Sequence, residues 1–118
     1  VNEGKGKFSI RSLPKRVQWS CVCGILCTDV NKDGIADLVM AGNNFDFKPQ
    51  FSRQDASNGT VLLGNGKMEF QWQDYNSSGF FVRGQVRHLK SFNDKKGNRY
   101  MFAAVNGEIP RVFVYGFK

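Results

Sequence analysis

The nine residues DVNKDGIAD, 29 to 37, hold the densest set of hard donors in the chain. Side-chain oxygens recur at positions 1, 3, 5 and 9 of this run, as Asp29, Asn31, Asp33 and Asp37, with Gly34 at position 6. Calcium takes about 6–8 oxygen ligands, and alternate loop residues plus one backbone carbonyl can wrap such a cation around a glycine turn. Ile35 is placed to lend that carbonyl. Three carboxylates this close repel one another unless a cation intervenes. The loop is not an EF-hand, because strand-like apolar runs flank it and its position 12 is Met40 instead of a bidentate acid. The alternative that needs no metal is an Asp/Asn/Gly-rich hairpin turn. Calcium is preferred because a plain turn has no need of an acid at Asp37.

Other reactive residue types give weaker patterns. Cys21, Cys23 and Cys27 fall on one face of a single strand-like run, where they do not converge as the four ligands of a closed zinc site would. Buried free thiols acting as small apolar residues are the expectation. His88, the only histidine, has no catalytic partner that the sequence identifies. Asp46, Asp55 and Asp74 are candidates for a glycosidase- or lyase-type carboxylate pair, but nothing in the sequence sets a separation between them. Asn58-Gly59-Thr60 and Asn76-Ser77-Ser78 satisfy the N-glycosylation pattern, which arises often by chance.

The elements that must position these residues read as β throughout. Across 118 residues there are 13 glycines, 11 phenylalanines and 3 prolines, a balance that suits turn-rich sheets better than helices. The length allows one ordinary domain. Phe8–Ser12 reads as a short strand ended at Leu13-Pro14, and Val17–Cys27 as a longer one with apolar residues on both faces, hence buried on both sides. Leu38–Ala41 is a further buried run, followed by a long polar connection from Gly42 to Asn58. Thr60–Leu63 and Lys67–Gln73 flank Gly64-Asn65-Gly66 as a hairpin, with both glycines available for positive φ. Phe81–Lys90, Tyr100–Val105 and Val112–Phe117 complete the strand set, and no segment keeps a helical period.

An internal repeat overlays the two halves. Residues 2 to 8, NEGKGKF, match residues 64 to 70, GNGKMEF, at an offset of 62. At an offset of 63, Gly34 falls on Gly97, Asn43 on Asn106, and Leu38–Ala41 on Met101–Ala104. The loop acids are lost in the second copy, where Asp29, Asp33 and Asp37 align with Phe92, Lys96 and Tyr100.

On these residues the chain resembles a known family. ILCTDVNKDGIADLVMAGN is similar to the calcium-loop repeat of FG-GAP/VCBS-type β-propellers, which also occurs in integrin α-subunit propellers. Its continuation, FDFKPQFSRQDASNGTVLLGNGKMEF, resembles the Bacteroidetes-type secreted VCBS proteins related to cartilage acidic protein, and RYMFAAVNGEIPRVFVYGFK resembles their last blade. The resemblance implies four-stranded antiparallel blades, about two of them here, with repeat 1 over about 8–70 and a degenerate repeat 2 over about 71–118. It also implies one calcium site, on Asp29, Asn31, Asp33, the Ile35 carbonyl and Asp37. Two blades cannot close a propeller, so the expectation is the C-terminal part of a longer one.

Charge and hydropathy bound the partners. The net charge is +7, with basic clusters at Lys5–Arg16 and Arg83–Arg99 near Trp19, Phe80 and Phe81. No RNP-like, helix-turn-helix or zinc-finger pattern accompanies them, so nucleic acid is not expected as a partner. The longest uninterrupted apolar run, Cys21–Cys27, has seven residues, far below the ~20 needed to span a bilayer. The resulting expectation is a calcium-stabilised, non-enzymatic scaffold, secreted or at the cell surface. Its expected partners are the remaining blades, other subunits of a surface complex, or a glycan. The alternatives are part of a carbohydrate-active hydrolase or lyase propeller, and a basic polyanion-binding module.

Overall fold

The computed structural model describes residues 1–46 and 52–116. Short β-prone runs between glycine- and asparagine-bearing turns become nine strands among the described residues: β1 (Asn2–Gly4), β2 (Lys7–Phe8), β3 (Gly24–Thr28), β4 (Asp37–Ala41), β5 (Thr60–Gly64), β6 (Phe70–Gln73), β7 (Val86–Asn93), β8 (Arg99–Val105) and β9 (Arg111–Tyr115). A 3-10 turn over Lys15–Trp19 and a one-turn helix, α1 (Tyr75–Ser78), are the helical elements among these residues. The chain is all-β, in three antiparallel sheets: the β1-β2 hairpin, a four-stranded meander β3-β4-β5-β6, and a three-stranded meander β7-β8-β9. No closed propeller forms among the described residues. No helix of the described residues is long and apolar enough to cross a membrane.

The two larger sheets pack face to face through alternate residues. The pairings Leu26↔Val39 and Val39↔Val61 put these side chains on one face of the meander, as a strand period of two requires. That face meets Val86, Leu89, Met101, Ala103 and Val105 of the second sheet, and Phe80 and Val82 close the cluster from the segment before β7. Phe80 also meets Phe113 of β9 edge-to-face, with ring centroids 4.9 Å apart. Gly24 lies where β3 crosses β7, against Leu89.

The β3-β4 and β7-β8 hairpins occupy matching places in the two sheets, and Gly34 and Gly97 turn them with φ of 85° and 82°. The second sheet places β9 where the first has β5.

Several expected elements differ. The long strand over Val17–Cys27 reduces to Gly24–Thr28, because Lys15–Trp19 winds into the 3-10 turn after Pro14. It is not buried on both sides: Ile25 is 62% exposed, and Cys23 and Cys27 are also exposed. Only one face of the meander is covered by the second sheet, so the outward residues of β3 stay in solvent. The strand expected over Phe8–Ser12 is confined to Lys7–Phe8, and the one over Phe81–Lys90 begins at Val86. Of the two glycines at the β5-β6 turn, Gly66 adopts positive φ, as does Met68, while Gly64 stays in the strand with φ outside the left-handed region. Part of the Gly42–Asn58 connection, and Phe117 at the end of the last expected strand, lie outside the described residues.

Candidate functional site

The acidic loop leaves β3 after Thr28 and returns at Asp37, the partner of Thr28 across the hairpin. It closes on itself through carboxylates accepting from backbone N–H groups. Asp29 takes one such bond on each oxygen, from Asp33 at 3.1 Å and Gly34 at 3.0 Å. Asn31 Oδ1 accepts from the Asp33 N–H at 3.2 Å, and its Nδ2 donates to Asp33 Oδ2 at 2.9 Å. Asp33 Oδ1 accepts from the Ile35 N–H at 2.7 Å. Asp29, Asn31 and Asp33 are therefore drawn into one turn. Lys32 and Gly34 complete it in the left-handed region, the lysine with φ of 63°.

Asp37 behaves differently. Its side chain is fully buried, and its two oxygens accept from the Val30 N–H at 2.8 Å and the Gly64 N–H at 2.9 Å. One carboxylate thus pins the loop to the start of β4 and to the far end of β5. Gly64 is required by this close approach, since a Cβ there would collide with the carbonyl oxygen of Ala36. The side chain of Ile35 lies beside Gly64 and Gly66. A metal-free turn therefore does have a use for an acid at position 37, because a buried carboxylate is tolerated when hydrogen-bonded and here satisfies two backbone donors.

The base of the loop is tied to the second sheet. Thr28 Oγ1 accepts from Arg99 Nη2 at 2.9 Å and lies 3.2 Å from the Tyr115 hydroxyl, while the Arg99 guanidinium sits 4.8 Å from the Tyr115 ring centroid. Val30 packs against the core cluster. The rim of the site thus carries one cation within the loop, Lys32, and one beneath it, Arg99.

The donor chemistry fits a hard cation at Asp29, Asn31 and Asp33: all three offer oxygen, and an ionised carboxylate that accepts one N–H per oxygen keeps further lone pairs. Among the described residues, no three His, Cys, Asp or Glu side chains come together as a group that could hold a metal ion. Asp37 is directed to backbone donors, and the fit rests on the three residues gathered in the turn.

The equivalent turn of the second sheet is a different device. Asp94 accepts from the Asn98 side chain at 2.7 Å, from the N–H groups of Asn98 and Lys96, and from the Tyr100 hydroxyl. These bonds, the Asn98 side chain foremost, hold its carboxyl below the usual range against the opposing effect of desolvation. Lys96 stands where the first loop has Asp33, and Phe92 and Tyr100 stand where it has Asp29 and Asp37.

The remaining candidates are scattered. Asp46 is paired with Arg87 at 3.2 Å, Asp55 lines a shallow recess beside Arg83, and Asp74 caps α1 by accepting from the Asn76 N–H. His88 is exposed on β7. Against the expected burial of the thiols, Cys21 is half-buried with its thiol on Gln54 Oε1, and Cys23 and Cys27 are exposed on the open face of β3. Phe80 is a core residue, so it adds nothing to the basic surface near Phe81.

Two features escaped the sequence reading. Asn43 is buried after β4, where its side chain donates to the carbonyls of Ser57 and Gly84 and accepts from Ser20 and the Ser57 N–H. Its recurrence at Asn106 was the only available signal. Arg16 lies over Trp72 and Trp19, at 4.0 and 4.9 Å from the ring centroids, a grouping that no local pattern announces. Compared with protein-family models, with curated proteins and with solved structures, the chain matches none of them.

Proposed function

We propose that this chain is a segment of a β-propeller of the FG-GAP/VCBS type, a non-enzymatic extracellular scaffold whose 29–37 loop is braced by calcium. The observation that carries the reading is the surface the chain leaves open. Its accessible area is 8281 Å² for 13.3 kDa, against about 6,450 Å² for a compact monomer of that mass. The excess, about 1,800 Å², is more than the roughly 800 Å² per partner that a stable interface buries. Exposed apolar residues contribute to it: Ile25 and Cys27 face outward on β3 with Cys23 just before it, and Phe8 and Ile10 are exposed earlier in the chain. A face of that kind is suited to a further sheet packed on it, and successive meanders stacked face to face supply the precedent inside the chain itself.

Calcium's role in this reading is structural. Asp29, Asn31 and Asp33 would hold it, and the cation would supply charge neutralisation to a turn that crowds carboxylates. The Ile35 carbonyl and Asp37 complete the donor set that the resemblance implies. Titration of the chain with calcium in a calorimeter tests this. One site per chain is expected, with no measurable heat of binding after Asp33→Ala; absence of heat for the unmodified chain would contradict the proposal.

A further inference from the structure

Each of the two larger sheets has one covered face and one open face, and the internal repeat relates these faces crosswise. At the offset of 63, Met40 falls on Ala103 and Val39 on Phe102. Ala103 belongs to the core between the sheets, whereas Met40, paired with Ile25, is on the outward face of the meander. The reverse holds for the other pair. Val39 is a core residue beside its partner Val61, whereas strand alternation puts Phe102 and its partner Val112 on the outward face of the β7-β8-β9 sheet. The outward face of the meander is therefore the counterpart of the second sheet's inner face, and the outward face of the second sheet is the counterpart of the meander's inner face. The two inner faces pack on each other in this chain. The two outward faces are a pair of the same kind, but they lie on opposite sides of one stack and cannot meet within a single chain.

We propose that the partner of these faces is a second copy of the chain, docked head to tail: the outward face of the β7-β8-β9 sheet of one copy seats on the outward face of the meander of the next. Both faces are apolar. On the second sheet Val112 and Val114 are 56% and 48% exposed, and Phe92 stacks on Tyr100 with ring centroids 5.2 Å apart. His88 and Lys90 share that face but lie along its edge strand, β7, which leaves an apolar strip over β8 and β9. On the meander, Ile25 is exposed beside an open cleft of about 400 Å³ that Met40, Trp19 and Trp72 line. The open area matches as well, since an excess of about 1,800 Å² accommodates two faces at roughly 800 Å² each. Such a contact is heterologous: each copy keeps one face free, and growth stops only where the rotation between copies closes a ring. The net charge of +7 opposes the contact, so added salt should strengthen it. This inference names the occupant of the face that the scaffold reading gives to a further sheet, and it rests on that reading.

Sedimentation velocity of the full chain in excess chelator is the test. Species heavier than 13.3 kDa are expected, in proportions that rise with protein concentration and with salt. Ile25→Lys blocks the face on the meander and Val112→Lys the face on the second sheet. Both side chains are exposed, so each variant should keep the circular dichroism of the unmodified chain, and each alone should sediment as a monomer. An equimolar mixture of the two should give a dimer and nothing larger, because one intact face of each kind is left to pair. Cys27 supplies a readout that needs no substitution and decides the matter if a variant fails to fold. It is exposed on the outward face of β3, so its labelling by a maleimide should slow as the unmodified chain is concentrated. A chain that stays monomeric with Cys27 labelled at one rate throughout, oligomers that persist in either variant alone, or a mixture that yields no dimer would overturn the inference. The second of these outcomes would point to pairing of like faces or of strand edges. A monomeric chain that still binds calcium would remove the second copy as occupant and leave the scaffold reading standing.

Discussion

Asp37 is the residue on which the loop depends, whether or not a cation is present. Both oxygens are committed to backbone N–H groups in a fully buried position, so truncation strands two donors at about 1–3 kcal/mol each. Asp37→Ala should therefore lower the stability of the chain by roughly 2–5 kcal/mol in urea unfolding carried out in chelator. Asp33→Ala, whose carboxylate is exposed, should cost less than about 1 kcal/mol under the same conditions. Similar losses for the two variants would contradict this division between a buried, fold-building acid and the exposed acids proposed to hold calcium. The residue types and spacing of the loop were legible in the sequence. The division was not, because it depends on Gly64, brought against Asp37 only by the pairing of β4 with β5.

At the scale of elements, the junction of the loop with the β5-β6 hairpin is a sterically demanding point, where a Cβ at Gly64 would lie 2.4 Å from the Ala36 carbonyl oxygen. Gly64 is extended, so a side chain there is opposed by contact with the Ala36 carbonyl and not by backbone strain. Gly64→Ala should destabilise by about 1–3 kcal/mol, the usual cost of forcing atoms into a packed site. Thermal unfolding of the variant checks this, and an unchanged midpoint would show that the loop can retreat from β5. The hairpin itself, β4 and β8 followed from apolar runs bounded by turn residues, a local signal that needs no knowledge of neighbours. The burial of β3 did not follow in the same way: Cys23, Ile25 and Cys27 read as core in sequence, yet they face outward. Whether an apolar face is covered is decided by which sheet lies opposite, and the second sheet covers the other side. The 3-10 turn was missed because Lys15–Trp19 carries no helical period in so short a span.

For the molecule as a whole, openness and charge act together. The radius of gyration is 15.3 Å, against about 13.5 Å for a compact domain of this length, in keeping with sheets that present uncovered faces. A net charge of +7 opposes self-association and assists encounter with anionic partners, more so at low salt. In the proposed reading, a cation bound only by the folded hairpin would add stability of RT ln(1 + [L]/Kd). The most direct measurement is the thermal midpoint of the unmodified chain in millimolar calcium and then in excess chelator. The account predicts a rise of about 5 °C or more with calcium, lost in Asp33→Ala. Identical midpoints in the two conditions would contradict it and leave residues 29–37 as a hydrogen-bonded turn held by Asp37 alone.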